Sequence, residues 1–185
     1  MKNYTQEWNT QFKKNVSNLG KFNLCLEIGC FEGMTSNYIV ENLLEDGGSL
    51  ICVDPLDDLY LKDISILNQT ENFFVGQYER FLENTKEYFG NKIYLFRDIS
   101  TNVYNTLKTD FSNKFSFIYI DGDHRPETVY LDAMNCFELC STDGYILFDD
   151  FKWKDTFLGI DKFLTEKKNL FVELIRNDQL LIKKL

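Results

Sequence analysis

An apolar, β-prone run, FIYIDGDH from Phe117 to His124, ends in two aspartates and the only histidine of the chain. A second run of the same kind, YILFDDF, delivers Asp149 and Asp150. A strand in an open α/β sheet presents its functional groups at its carboxyl end, so Asp121 is expected at the mouth of a cofactor crevice. If the two strands are neighbours, Asp121, Asp149 and Asp150 converge. Left bare they repel, and at least one is driven to keep its proton. A hard divalent cation, Mg²⁺ or Mn²⁺, removes that conflict by taking oxygen ligands while leaving positions open for substrate oxygens. The structural alternative is helix capping, with Asp121 or Asp123 closing the N-terminus of a helix that starts near Pro126.

The second group of residues surrounds a turn. LEIGCFEGMTS, Leu26 to Ser36, puts Glu27 at a strand end, Gly29 in the turn and Gly33 at a helix start, which lets backbone N–H groups come close to a ligand. It is not G-x-G-x-x-G, because with Gly29 as the middle glycine the outer positions hold Glu27 and Glu32. It is not a P-loop either, since no Gly-Lys-Ser/Thr follows. The next apolar run ends in ICVDP, and Asp54 falls where α/β folds place the carboxylate that grips a ribose diol. Together the turn and the aspartate read as a nucleoside site; alone, the turn is equally a tight structural corner.

The elements that must hold these groups alternate. Strands are expected at about 22–28, 49–54, 92–96, 114–121 and 143–149, and their continuous apolar character suits strands covered on both faces. Helical patterns lie near 34–45, 72–89, 100–109, 126–140 and 156–168. The segment Pro55 to Thr70 has no clear period and is long for a connection, which suits a lid or substrate loop. At the end, LFVELI and LLIKKL are joined only by RNDQ, too short for a parallel crossover, so they form an antiparallel hairpin. The expected architecture is a single α/β domain over 1–185, Rossmann-like, with a mostly parallel seven-stranded sheet, an antiparallel last strand and helices on both faces. Residues 1–20 form a helical extension, in which Tyr4, Trp8 and Phe12 share one face that docks on the core.

Composition narrows the function. The chain has 185 residues, of which 44% are hydrophobic and 16% aromatic, and no apolar run is long enough for a membrane span. A net charge of −9 with short, scattered basic clusters disfavours nucleic acid. The N-terminal stretch MKNYTQEWNTQFKK lacks an apolar secretion core, so a cytoplasmic location is expected. The five cysteines lack metal or redox spacing and read as reduced, buried thiols, although Cys136 and Cys140 sit at i and i+4.

With E-x-G-x-x-x-G, the later strand-ending Asp54 and the terminal hairpin in place, the chain resembles class I S-adenosylmethionine-dependent methyltransferases from Phe22 to Leu185. The resemblance implies that Glu27, Gly29, Cys30 and Gly33 line the methionine and ribose part of S-adenosylmethionine and that Asp54 holds the ribose hydroxyls. It puts Asp98, in RDIS, near the adenine amine, with Ser100 beside it; the family often has glycine where this chain has Arg97. IDGDH followed by a helix and DD is similar to metal-dependent O-methyltransferases. The nearer likeness is to the small-molecule branch of macrolide and aminocoumarin sugar O-methyltransferases and cephalosporin-hydroxylase-like proteins. In those relatives Asp121, Asp149 and Asp150 would be the metal ligands, and the base would lie at Asp123 or His124, of which His124 is favoured.

The implied reaction is O-methylation of a small molecule with adjacent oxygens, a sugar or a phenol, by an enzyme of EC 2.1.1 type. Trp153, with Lys152 and Lys154, either walls the substrate pocket or packs at a helix start. Neither nucleic acid nor membrane is an expected partner, and a homo-oligomer is left open. Two other classes use the same residues: a metal-dependent hydroxylase- or hydrolase-like enzyme, and a cofactor-binding protein without turnover. Release of S-adenosylhomocysteine separates both from a methyltransferase.

Overall fold

The structure, a computed structural model, describes residues 4–56 and 75–185, with side chains in the first helix from Thr10 onward. The expected lid, Pro55 to Thr70, and the first residues of the expected helix from 72 therefore lie largely outside the described residues, as do the side chains of Tyr4 and Trp8.

The chain runs α1 (Tyr4–Val16), β1 (Phe22–Ile28), α2 (Met34–Asn42), β2 (Leu44–Val53), α3 (Gln77–Thr85), β3 (Ile93–Phe96) and α4 (Ser100–Phe111). It continues with β4 (Phe115–Ile120), α5 (Pro126–Leu139), β5 (Cys140–Phe148), α6 (Lys154–Glu166), β6 (Phe171–Arg176) and β7 (Leu180–Lys184). The sheet has seven strands in the order β3-β2-β1-β4-β5-β7-β6. β7 alone among them runs antiparallel to its neighbours, β5 and β6. β2 and β5 begin earlier than the apolar runs suggest, at Leu44 and Cys140. Their first residues pair irregularly, each with a register shift, and their Asp and Gly residues hide that pairing in the sequence.

Two apolar layers enclose the sheet. Phe12 and Val16 of α1, Ile39 and Val40 of α2 and Phe81 of α3 pack with Phe117, Tyr119 and Leu147 on one face. Leu107 of α4, Ala133 and Phe137 of α5 and Phe163 of α6 pack with Ile118, Ile120 and Phe148 on the other. Leu26, Ile118, Ile146 and Phe117 are all wholly shielded from solvent, which is why these strands carry no polar alternation.

Strand order reverses between β1 and β4, and that switch point is where an open α/β sheet opens a crevice. The ladder carries on one residue past the strand ends there. Gly29 N–H donates to Val53 O (2.9 Å), Asp121 N–H to Ile28 O (2.8 Å) and Asp149 N–H to Ile120 O (3.0 Å). Gly29, Asp121 and Asp149 consequently lie in one row across three adjacent strands, with Asp54 at the end of the next.

Candidate active site

The glycine turn is held by Asp54. Its Oδ2 accepts the N–H groups of Cys30 and Phe31, both at 2.9 Å, and its Oδ1 accepts that of Leu56 at 2.8 Å. Burial pushes its pKa up, and the three backbone donors oppose the rise. The aspartate picked out for a ribose is thus also the residue that shapes the turn. Gly29 has φ +82°, and an added Cβ would sit 2.0 Å from the Asp121 carbonyl oxygen. Gly33 has φ +83°, and its Cβ would meet Thr85 Cγ2 of α3 at 2.4 Å. Both glycines are therefore required by close approach as well as by backbone shape. Cys30 is buried, so it meets the crevice through its backbone rather than its thiol.

Glu27 lies beneath this turn and is fully shielded from solvent. Ser36 Oγ donates to its Oε2 at 2.5 Å and Cys52 Sγ lies 3.5 Å from the same oxygen, while Oε1 has no hydrogen-bond partner among the described residues. Burial pushes its pKa up to about 8, against the lowering effect of Ser36 and Cys52. The folded state therefore holds a proton that the unfolded chain gives up near the ordinary value of 4.5, and stability falls as pH rises from there to about 8. Glu27→Gln removes that slope. Its melting temperature is expected to match wild type near pH 4.5 and to exceed it increasingly up to pH 8, by at most about 5 kcal/mol in unfolding free energy. Ligand-free thermal melts across that range check this; parallel curves would refute it.

At the next two strand ends the acids meet the histidine. His124 Nε2 lies 3.0 Å from Asp150 Oδ2, an ion-pair contact when the ring is protonated, and 4.0 Å from Asp121 Oδ1, too far for a hydrogen bond. One ligand atom from each of Asp121, His124 and Asp150 falls within 4.8 Å of the other two, spacing that fits a cation. Burial, then the charges of Asp149 and Asp150, hold the Asp121 pKa well above its ordinary range. Asp150 raises that of His124.

Asp149 points the other way. Tyr119 OH hydrogen-bonds its Oδ2 and lies 3.2 Å from Asp121 Oδ2. Asp149 Oδ1 accepts from Gln179 Nε2 at 3.2 Å and from the Asp150 N–H at 2.8 Å. Asp123 is committed to Arg125, whose backbone N–H (2.9 Å) and guanidinium Nε (2.6 Å) hold its carboxylate below the usual pKa. Asp123 thereby closes the turn before α5, and neither it nor Asp121 caps that helix, whose N-cap, Arg125, has no side-chain capping bond. The His124 and Trp153 rings stand 4.9 Å apart, with Trp153 more than half exposed beside them.

Toward β3, Asp98 Oδ1 accepts from Ile99 N–H (2.7 Å) and Asn102 Nδ2 (2.9 Å), which ties it to the start of α4. Ser100 Oγ donates to Asp132 Oδ1 at 2.7 Å, which Tyr104 OH also reaches at 3.0 Å. Burial pushes the Asp132 pKa up to about 6. Arg97, in the family's glycine position, lies over the Tyr78 ring at 4.1 Å and donates to the carbonyls of Pro55 and Leu56.

Tyr119, Gln179 and Asp132 escaped the sequence reading. The first sits inside an apolar run, the second in a hairpin link and the third mid-helix, and none carries a motif.

A seven-stranded sheet covered by helices on both faces, with a glycine turn at its switch point, defines a Rossmann-like domain. Residues 26–151 match the family described as a methyltransferase domain, and the chain belongs to that family. Its fold is that of an O-methyltransferase from Bacillus cereus solved in complex with SAH: TM-score 0.67, 12% identity, 96% of this chain and 80% of that one covered. It is likewise similar to the O-methyltransferase TomG of Streptomyces achromogenes, involved in tomaymycin synthesis and solved with SAM, at TM-score 0.65 and 13% identity, covering 96% and 79%. The N-methyltransferase NodS of Bradyrhizobium japonicum aligns at TM-score 0.62 and 14% identity over 99% and 97%. No curated protein matches the sequence. Among the described residues no helix is long and apolar enough to cross a membrane.

Proposed function

We propose that this protein transfers a methyl group from S-adenosylmethionine to a hydroxyl of a small molecule with two adjacent oxygens, assisted by a divalent cation. The observation that carries the reading is the convergence of Asp121, Asp150 and His124 beside the glycine turn. S-Adenosylmethionine is supported by family membership and by the SAH and SAM held in two proteins of the same fold.

The donor set suits a hard cation. Asp121 and Asp149 crowd their charge around one tyrosine hydroxyl, which can give its single proton to only one of them, and Asp150 adds a third charge beside Asp121. Asp121 and Asp150, with Asp149 behind them, would hold the ion. When bound, it lowers the pKa of a hydroxyl that coordinates it. Gly29, Gly33 and the N–H groups around Asp54 admit the cofactor, and Asp54 accepts from its ribose.

His124 is the proton acceptor. Its Nε2 faces the acids, and Asp150 makes the ring more basic. Asp123, tied to Arg125 and more acidic than usual, is a poor base. The acceptor O–H gives its proton to His124 Nε2, and the oxygen bonds to the methyl carbon as the carbon–sulfur bond breaks. S-Adenosylhomocysteine leaves. Trp153 flanks His124 and supplies a flat wall for a sugar or phenol ring.

The test is calorimetric titration with S-adenosylhomocysteine, wild type beside Asp54→Ala, followed by assay of its release from S-adenosylmethionine with vicinal diols and catechols plus Mg²⁺ or Mn²⁺. Binding lost in the variant and cation-stimulated release are expected. No binding by folded wild type would sink the methyltransferase reading, and binding without release from any acceptor would leave a cofactor-binding protein.

A further inference from the structure

Beyond the residues that match the family, two segments reach back into the site. Asn15 of α1 and Gln179, at the turn between β6 and β7, are polar side chains almost wholly buried, at 6% and 1% exposure. Both lie outside residues 26–151. Asn15 Nδ2 donates to Gln179 Oε1 at 2.8 Å, and Gln179 Nε2 donates to Asp149 Oδ1 at 3.2 Å. Asn177 braces the pair: its Oδ1 accepts from Gln11 Nε2 at 2.7 Å and from the Gln179 N–H at 2.8 Å, and its Nδ2 donates to Asn15 Oδ1 at 3.3 Å.

The relay has a direction. An amide offers one accepting end and one donating end, so once Asn15 donates to the Gln179 oxygen, the Gln179 nitrogen must face Asp149. A reversed amide would press an oxygen against a carboxylate. α1 acts on the same place through its apolar face, since the Phe12 ring stands edge-on to Tyr119 at 4.9 Å. Tyr119 OH bonds the other oxygen of Asp149.

We infer that Gln179, oriented by Asn15, is a positioning residue that holds Asp149 turned inward and so leaves Asp121 and Asp150 aimed at His124. For its chemical consequence this rests on the cation-assisted reading above. Asp149 receives donors from Gln179, from Tyr119 and from the Asp150 N–H, so its carboxylate is held from both ends. Without Gln179 the Oδ1 side keeps only the Asp150 N–H, and that backbone link carries the disturbance to the group that faces His124. Groups behind the primary ligands commonly change metal affinity in this way.

Because His124 is the only histidine, its ring Cε1–H proton gives a single NMR signal of its kind, which reports this site in the full chain. In metal-free protein at fixed pH, Gln179→Met and Asn15→Ala are expected to move that signal in the same direction, whereas Lys14→Ala, on the exposed side of α1, leaves it in place. Mn²⁺ should broaden the wild-type signal, and Gln179→Met should need about tenfold more Mn²⁺ for the same broadening. Affinity for S-adenosylhomocysteine should stay at the wild-type value in both variants.

A folded Gln179→Met with the wild-type signal position and Mn²⁺ midpoint would overturn the inference and leave the amides a role only in docking α1. Should that variant fail to fold, Asn15→Ala, which frees Gln179 without removing it, decides the same question by the same two readings. If the variants move the signal but Mn²⁺ broadens none of the proteins, the positioning role stands and the cation reading falls.

Discussion

Replacing Gly29 with alanine is expected to destabilise the protein by about 4 kcal/mol or more, enough to leave little folded chain, because it is among the rare substitutions with no way to relax. The added Cβ would lie 2.0 Å from the Asp121 oxygen, 2.6 Å from its carbonyl carbon and 2.8 Å from Gly122 Cα, all of them backbone atoms in the row that forms the site. Side chains can rotate away from an intruder; a strand end bonded on both sides cannot. Gly20 is the control: it has nearly the same positive φ, +88°, but nothing lies within 4 Å of its added Cβ. Gly20→Ala should therefore cost only the left-handed penalty, about 1 kcal/mol. Urea unfolding of both variants makes the comparison. Equal losses would mean that backbone shape, not the meeting of the glycine turn with Asp121, explains the glycine.

The second large effect belongs to His124. His124→Ala is expected to lower the rate of S-adenosylhomocysteine release, at saturating cofactor and cation, by about 10² to 10⁴-fold, the usual contribution of a positioned base. Cofactor affinity should not change, since His124 lies beyond the β4 end while Asp54 and the glycine turn lie at β1 and β2. Asp123→Ala should cost far less, because Arg125 already occupies that carboxylate. If the two variants exchanged their effects, the proton would go to Asp123 and His124 would be a neighbour only.

The fold was legible because its strands are apolar on both faces and its last two are joined by a link too short for anything but a hairpin. The ends of β2 and β5 were not, since Asp46, Gly47 and Asp143, Gly144 read as turns although the chain is already pairing there. In the site, sequence position identified which acids stand at strand ends but not the directions in which they point. Asp149 and Asp150 are neighbours in sequence yet point apart, one toward Tyr119 and Gln179 and the other toward His124. That division depends on contacts from β4 and from the β6–β7 turn, which a strand-end motif does not contain. Asp54 shows the converse: its place at the end of β2 singled it out, while its grip on the Cys30 and Phe31 amides was invisible without the turn in three dimensions.

The bond between Asn15 and Gln179 spans 164 residues of chain. During synthesis α1 leaves the ribosome before β7 and must wait for it, and β7 enters the sheet between β5 and β6 only after the other strands of the row have been made. Until then β5 is an open sheet edge and Asp149 lacks the amide that restrains it. Long-range closure of this kind slows folding. A nascent chain, or one cut before Leu180, thus carries the whole glycine turn with Asp54 and still has an unfinished acidic pocket, so the turn matures earlier than the acidic pocket in the life of each molecule.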